Sequence, residues 1–182
     1  MLRLYILRHA KSSWALPGVT DFNRGLNDRG NNDLPKIAKL MITKSYIPDQ
    51  IYCSSAVRTS RTIEGIRSEI QNSDHHNDVP PRMPVEYIEN LYSGTIDNYL
   101  SVIKSHNDNN QSLMLVGHNP TCHSLTSQII ADGKKKAVAA LAYNFPTGAL
   151  AVIDIEAECW ANIEEQTGYL RDFVLPRKLP AM

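Results

Sequence analysis

Three clusters of polar residues in this chain are of types that could bind and transfer a phosphoryl group. Arg8 and His9 are adjacent, Arg58 and Arg61 lie three residues apart, and His118 follows much later. The guanidinium of arginine is a planar fork that matches phosphate oxygens, and neutral histidine is a nucleophile. Taken singly, each cluster fits an ordinary surface or a structural residue. Taken together, they predict a cationic pocket that binds a phosphoryl group and contains candidate nucleophiles.

The segments that precede these clusters determine whether the clusters meet. Residues 2–7, 50–53 and 112–116 are short apolar runs typical of buried strands, and each run ends where one cluster begins. Ligand sites of open α/β sheets form outside the carboxyl ends of the strands. If these strands are parallel neighbours, one crevice collects two histidines and at least two arginines.

Helical periodicity fills the segments between these strands. Asn27 is a good N-cap for a first helix, and Pro35 predicts a kink or a delayed start in it. Ser54 and Ser55 are expected to cap a second helix, and Thr95 a third. A fourth helix is expected after His118. Strands therefore alternate with helices over the first two-thirds of the chain.

The last third of the chain changes character. Residues 147–156, 160–164 and 169–175 are predicted to be strands without a strong helix between them, and the lysines at 134–136 a solvated turn. This order predicts an α/β fold, a three-layer α/β/α sandwich whose mixed sheet is mostly parallel with an antiparallel edge. No linker or repeat is evident, so residues 1–182 are expected to form a single domain.

The composition excludes several classes of protein. The chain has 182 residues, with 19 Lys and Arg against 19 Asp and Glu, and its formal net charge is zero. Nucleic acid is therefore not an expected partner, because proteins that bind it carry a basic footprint. The longest apolar run, residues 137–143, is far shorter than the ~20 residues that a membrane span requires, so no membrane partner is expected.

The cysteines and two further histidines bear on compartment and metal binding. Cys53, Cys122 and Cys159 are odd in number and widely spaced, which suits neither a disulfide framework nor a metal-ligand pair. We expect buried thiols in a reducing cytoplasm, since the N-terminal apolar stretch is also too short for a signal peptide. His75 and His76 have no third ligand at a useful spacing, so neither a metal nor another cofactor is expected.

Four motifs resemble those of the histidine phosphatase superfamily, whose members share the phosphoglycerate mutase-like fold. Residues 7–10 (LRHA) resemble its RHG or RHA signature, residues 26–30 (LNDRG) its LTxxG motif, residues 54–62 (SSAVRTSRT) its SSPxxRAxxT motif, and residues 116–120 (VGHNP) its second-histidine motif. More narrowly, RHAKSSW at residues 8–14 resembles the SixA-type phosphohistidine phosphatases. The chain has Gly25 and the pair Ala56-Val57 where the family usually has proline, which alters the backbone but removes no chemical group.

The resemblance implies a role for each matching residue. His9 is the expected nucleophile, with one ring nitrogen attacking phosphorus while the other donates to a fixed acceptor. Arg8, Arg58 and His118 are expected to hold the three equatorial oxygens without a metal, and water then hydrolyses the phosphohistidine. Glu89 resembles the general acid of larger members, although a solvated loop carboxylate fits its sequence context equally well.

Residues beside the two histidines are further candidates for binding phosphate or substrate. Lys11 or Ser12 could contact the phosphate, or their loop could shape the substrate entrance with Trp14 as a platform. Asn119, next to the second histidine, is expected to line the same pocket. An inert role for these residues is the alternative.

These observations predict an enzyme, a phosphoric monoester hydrolase with a phosphate-like anion bound in its site. A SixA-like activity would remove phosphate from phosphohistidine on a protein partner, such as a histidine phosphotransfer domain. No long insertion is present that could form a lid and close the pocket to a protein. A phosphomonoesterase acting on a small phosphorylated metabolite is one alternative, and a non-catalytic module that binds phosphorylated ligands is another.

Overall fold

One mixed sheet positions all the candidate residues. The structure, a computed structural model, describes residues 1–14, 17–73 and 82–180, so His75 and His76 lie outside the described residues. The strands are β1 (Leu2–Arg8), β2 (Gln50–Ser54), β3 (Val85–Ile88), β4 (Ser112–Gly117), β5 (Ile130–Gly133), β6 (Leu150–Ile155) and β7 (Gly168–Val174). The helices are α1 (Asp28–Thr43), α2 (Val57–Gln71), α3 (Ile96–Lys104), α4 (Thr121–Ile129) and α5 (Lys135–Tyr143).

The sheet has seven strands in the order β3-β2-β4-β1-β6-β7-β5. Strand β1 runs parallel to β4, β2 runs parallel to both β3 and β4, and β5 runs parallel to β7. Only β6 runs against its neighbours, β1 and β7. The mostly parallel mixed sheet is thus confirmed, but the antiparallel strand lies in the interior and not at an edge. Its six residues are all buried, and β1 and β7 pair with its two edges.

Helices cover both faces of the sheet. Successive residues of β1 point to opposite faces, so Tyr5 and Leu7 belong to one apolar core and Leu4 and Ile6 to the other. Helices α1 and α2 bury their apolar sides in the first core, and α3, α4 and α5 bury theirs in the second. The three-layer α/β/α arrangement is therefore confirmed. Within the described residues, every helix is too short or too polar to cross a bilayer.

The helix starts match the predictions in part. Asn27 caps α1 by accepting a hydrogen bond from the backbone N–H of Gly30 at 2.9 Å, and Thr95 caps α3. The expectation of a delayed start at Pro35 is wrong, because α1 begins at Asp28 and continues through the proline. Water can satisfy the one carbonyl that Pro35 leaves unpaired, since the residue four positions earlier is exposed. The capping role predicted for the serines at 54 and 55 is also wrong: Ala56 occupies the N-cap of α2 without a side-chain bond.

Two predictions for the last third are wrong. The lysines at 134–136 do not form a turn: Lys134 is the N-cap of α5, and its ammonium donates to the Asp172 carboxylate at 3.1 Å. Residues 160–164 do not form a strand, since Trp160–Asn162 is a 3-10 turn. The indole N–H of Trp160 donates to the backbone carbonyl of Asn110 at 2.8 Å, which anchors this turn away from the sheet.

Candidate active site

The carboxyl ends of β1, β2 and β4 lie side by side and bring the three polar clusters together. Arg8 pairs with Gly117, and Cys53 pairs with Val116, so the residues that follow these strands start from one level. A cavity of about 210 Å³ opens there. It is lined by Arg8, His9, Lys11, Ser12, Trp14, Arg24, Arg58, His118, Asn119 and Thr147.

The ring of His9 is fixed in one tautomer. Its Nδ1 lies 2.7 Å from the backbone carbonyl of Ala10, and a carbonyl can only accept, so Nδ1 carries the proton and Nε2 keeps its lone pair. The acceptor is itself held, because the N–H of Ala10 donates to Thr62 Oγ1 at 2.9 Å. His9 is 7% exposed, so little water competes for the ring. The geometry therefore presents an unprotonated Nε2.

Electrostatics keep both histidines neutral. Burial is the main cause that lowers the pKa of His9 to about 3; the hydrogen bond with the Ala10 carbonyl raises the pKa in part, and His118, Arg58 and Arg8 lower it. Burial also lowers the pKa of His118 to about 3, again with Arg58 adding to the effect. At neutral pH neither ring carries a positive charge, which is the state that a histidine nucleophile requires.

His118 is oriented by a buried serine at the end of β2. Its Nε2 lies 2.8 Å from Ser54 Oγ, and its ring centroid lies 5.3 Å from that of His9. Ser54 Oγ accepts from the backbone N–H of Ala56 at 3.4 Å, and its hydroxyl can donate to Nε2 in one tautomer of the ring. In this arrangement Nδ1 of His118 carries the ring proton. His118 can therefore donate to an anion, even though it is neutral.

Arg8 is anchored by a loop carbonyl. Its Nη1 donates to the backbone oxygen of Phe145 at 2.8 Å, and the side-chain amide of Asn119 donates to the same oxygen at 2.9 Å. Burial lowers the pKa of Arg8, and the positive charge of Arg58 lowers it further. Two guanidinium groups that repel each other beside one cavity are stabilised by an anion placed between them.

Arg58 is held by Asp21, a residue that the sequence did not single out. Its Nη1 donates to the backbone oxygen of Asp21 at 2.7 Å, and its Nη2 donates to the carboxylate at 3.1 Å. Tyr92 donates to the same carboxylate oxygen at 2.8 Å, and its ring packs edge-on against His118. The Tyr92 hydrogen bond, together with Arg24 and Arg58, lowers the pKa of Asp21 to about 2. Asp21 is therefore a fixed anion that orients cations.

Six buried side-chain polar atoms have no hydrogen-bond partner among the described residues, and four of them belong to residues that line this cavity, the acceptor Asn119 Oδ1 and three nitrogens. The three nitrogens are Arg8 Nε, Arg58 Nε and His118 Nδ1. Buried polar atoms are normally paired, so their clustering at one place needs an explanation. A tetrahedral anion would satisfy the three nitrogens, because each guanidinium and the ring can donate to a separate oxygen.

Arg24 is a second lining residue that sequence reasoning missed. Its Nη1 donates to Ser12 Oγ at 3.1 Å, its Nε donates to Asp21 at 3.0 Å, and its guanidinium carbon lies 3.6 Å from the ring centroid of Trp14. Arg24 directly precedes Gly25, the position at which this chain lacks a proline that is usual in the family it resembles. That position is the sequence signal that could have identified Arg24. Gly25 itself allows a close approach, since a Cβ there would lie 2.5 Å from Nη1 of Arg61.

The glycine of the LNDRG segment explains why the loop after His9 is well placed. A Cβ on Gly30 would lie 2.2 Å from the backbone oxygen of Lys11, which is too close for any other residue. The N–H of Asn27 donates to that same oxygen at 3.0 Å. The start of α1 therefore packs directly on the loop that carries Lys11 and Ser12.

The structure brings together all the candidate site residues except Arg61, which lines a different cavity, and Glu89. Lys11, Ser12, Trp14 and Asn119 line the cavity with the two arginines and two histidines, whereas Glu89 is exposed and is not among the lining residues. Glu89 begins a 3-10 turn that follows β3. Among the described residues, no group of three or more His, Cys, Asp or Glu side chains is placed to hold a metal ion.

Comparisons with known proteins identify similar chains of nearly the same length. No protein-family model matches the chain. A crystal structure assigned as the phosphohistidine phosphatase SixA of Agrobacterium tumefaciens is 35% identical, with a TM-score of 0.77 over 96% of this chain and 98% of that one. A second SixA structure, from Nakamurella, is 22% identical with a TM-score of 0.78 over 96% of each chain. An uncharacterised protein of Mycobacterium tuberculosis is 28% identical over 173 residues, which cover 94% of this chain and 100% of the relative.

Proposed function

Because this chain belongs to the histidine phosphatase superfamily, and within it to the SixA-type proteins, we propose that it is a metal-independent phosphatase with a phosphohistidine intermediate on His9. The observation that carries the proposal is the set of three unpaired donors around a histidine whose Nε2 is unprotonated. These groups supply what phosphoryl transfer needs, namely a nucleophile and donors for the equatorial oxygens.

In the first step, His9 attacks the phosphorus of the substrate. The lone pair of Nε2 forms the P–N bond while the bond from phosphorus to the leaving group breaks, and its electron pair stays with the leaving group. A phosphohistidine whose second ring nitrogen carries a proton departs as neutral imidazole, so the substrate itself supplies the proton of the leaving group. The ring of His9 then carries a positive charge, which the Ala10 carbonyl stabilises through Nδ1.

Charge that develops on the phosphoryl oxygens is stabilised by Arg8, Arg58 and His118. All three are anchored by protein groups before the substrate arrives, so little reorganisation is needed during the reaction. Loss of one such donor typically lowers the rate on the order of 10²- to 10³-fold. Lys11 and Ser12 are proposed to contribute at the rim of the same anion site.

In the second step, water attacks the phosphohistidine. The new P–O bond forms as the P–Nε2 bond breaks, one proton of the water is released, and inorganic phosphate leaves with His9 regenerated. The cycle consumes one water and one phosphorylated substrate. It needs neither a reductant nor a second substrate.

The proposed substrate is phosphohistidine carried by a protein partner. Imidazole is a good leaving group because its reference pKa is ~6.5, whereas an alkoxide must be protonated by a strong acid. This difference suits a cavity whose lining holds no carboxylic acid among the described residues. The leaving-group chemistry therefore favours phosphohistidine over an alkyl phosphate ester.

The purified protein tests the proposal when it is incubated with p-nitrophenyl phosphate and with a phosphohistidine peptide in the presence of EDTA. We expect turnover of both, with the chelator without effect. His9→Ala should abolish turnover and the acid-labile phosphoenzyme, while His123→Ala, on α4 and outside the cavity lining, should retain both. Turnover that survives in His9→Ala, or that EDTA removes, would overturn the proposal.

A further inference from the structure

The cavity around His9 adjoins a second one of about 290 Å³, which the reaction steps above do not use. Trp14 and Arg24 line both cavities, so the two are contiguous. The second cavity is also lined by the apolar side chains of Val19 and Leu26 and by Arg61. A substrate whose phosphoryl group lies against His9 would therefore pass Trp14 as it extends outward.

Trp14 presents one free aromatic face at this junction. Its side chain is 76% exposed, although the Arg24 guanidinium lies 3.6 Å from its ring centroid and covers one face. The exposure therefore belongs to the opposite face and the ring edges. A scattered exposed aromatic needs no explanation, but this one is stacked on a cation at the mouth of a polar cavity.

The support beneath Trp14 is rigid. Arg24 donates to the Asp21 carboxylate from Nε at 3.0 Å, and its Nη1 donates to Ser12 Oγ and to the backbone oxygen of Ser13 at 3.3 Å. Its side chain is only 11% exposed. Because these bonds fix the guanidinium, a planar group that stacks on Trp14 meets a surface that is already ordered, and less entropy is lost on binding.

We propose that the free face of Trp14 is a subsite for a planar ring bonded directly to the phosphoryl group, with the second cavity accepting the chain that carries the ring. In-line attack places the leaving group opposite His9 Nε2, and Trp14 is the exposed aromatic residue that lines this cavity. The imidazole of phosphohistidine and the phenyl ring of an aryl phosphate share this chemistry. The inference rests on the proposed function for the position of the phosphoryl group.

Binding of two phosphonates tests the subsite without turnover. Phenylphosphonate and methylphosphonate differ in the ring and share the anionic group. We expect the wild-type protein to bind the phenyl compound about 3- to 10-fold more tightly, as aromatic stacking allows. Trp14→Ala should lose this preference, Trp14→Phe should keep most of it, and Tyr143→Ala, an exposed aromatic on α5, should behave as wild type. Trp160 is fully buried, so a fluorescence change on binding of the ring reports on Trp14.

Turnover distinguishes the two rings and separates this inference from the proposed function. N-phosphoimidazole and phosphoramidate both contain a P–N bond, but only the first has a ring; phenyl phosphate is the aryl counterpart. Trp14→Ala should raise KM about 3- to 10-fold for a substrate with a ring and leave the KM for phosphoramidate unchanged. The ring substrate whose KM rises more identifies the class of substrate that the subsite fits.

Equal affinity of the wild-type protein for the two phosphonates would overturn the subsite. An equal loss on all three substrates in Trp14→Ala would overturn it too, because Trp14 would then shape the phosphate pocket. Absence of turnover in the wild type, with a normal preference for phenylphosphonate, would contradict the proposed hydrolysis and leave the subsite supported.

Discussion

Removal of the Ser54 hydroxyl is expected to impair His118 although Ser54 itself does not line the cavity. Ser54 is fully buried and its Oγ lies 2.8 Å from Nε2 of His118. When the Ser54 hydroxyl donates in that hydrogen bond, the ring proton lies on Nδ1, which is buried and has no hydrogen-bond partner among the described residues. In Ser54→Ala, Nε2 loses its partner and the ring is no longer held in the donor tautomer.

The expected loss follows from the energy of one hydrogen bond. A buried bond of this kind contributes roughly 1–1.5 kcal/mol, which corresponds to about a 10-fold decrease in kcat/KM for phosphoryl transfer. This decrease is smaller than the loss expected when a donor is removed entirely, which is on the order of 10²- to 10³-fold, because His118 still donates part of the time. The free energy of unfolding should also fall, by about 1–3 kcal/mol, since a buried ring nitrogen becomes unsatisfied.

The assay compares Ser54→Ala with Ser55→Ala. Ser55 Oγ is also buried, but it has no hydrogen-bond partner among the described residues, so its removal should leave kcat/KM unchanged. Nitrogen chemical shifts of the His118 ring report the tautomer directly. Two results would refute the assignment of Ser54 as the residue that orients His118. One is an equal kcat/KM in the two variants, and the other is a wild-type His118 ring that carries its proton on Nε2.

Two further predictions concern protonation. The pKa values of His9 and His118 fall from 6.5 to about 3 on folding, so the unfolded chain binds protons that the folded chain does not; stability should therefore decline as the pH drops from about 6.5 toward 3. Between pH 7 and pH 5 the thermal denaturation midpoint should fall less in His118→Gln than in the wild type, and an equal fall would contradict the lowered pKa. Glu89→Gln should leave kcat unchanged on both an alkyl phosphate ester and N-phosphoimidazole, because Glu89 is exposed and outside the cavity lining. A loss of about 10²-fold confined to the ester would instead identify Glu89 as the general acid.

The position of the site could be predicted from the sequence because it depends on strand ends. Short buried runs and the polar residues that follow them are local signals, and parallel neighbours bring such residues to one edge. The orientation of β6 was not predictable in this way. Leu150–Ile155 is buried at every position, a pattern that central strands share in either direction, so its direction is decided by the sheet and not by its own residues.

Helix α5 shows a different limit of sequence reasoning. Three lysines at a helix N-terminus oppose the helix dipole, and this local preference predicts a turn. The helix forms because Ala137 and Leu141 are buried against the sheet and because the Asp172 carboxylate of β7 neutralises Lys134. Both stabilising contacts, with the sheet and with Asp172, are made to residues that are distant from the lysines in sequence. The same is true of Asp21, whose function depends on Arg58 and Tyr92.

The charges in the cavity explain how a neutral protein can select a dianion. Both histidines are neutral at pH 7, so the positive charge of the site comes from Arg8, Arg24, Arg58 and Lys11, and the Asp21 carboxylate accepts hydrogen bonds from Arg24 and Arg58. Guanidinium groups do not titrate near neutral pH. The pH dependence of binding near neutrality should therefore follow the second ionisation of the phosphoryl group, at about pH 6. Histidine contributes shape and a nucleophile to this site, and arginine contributes its charge.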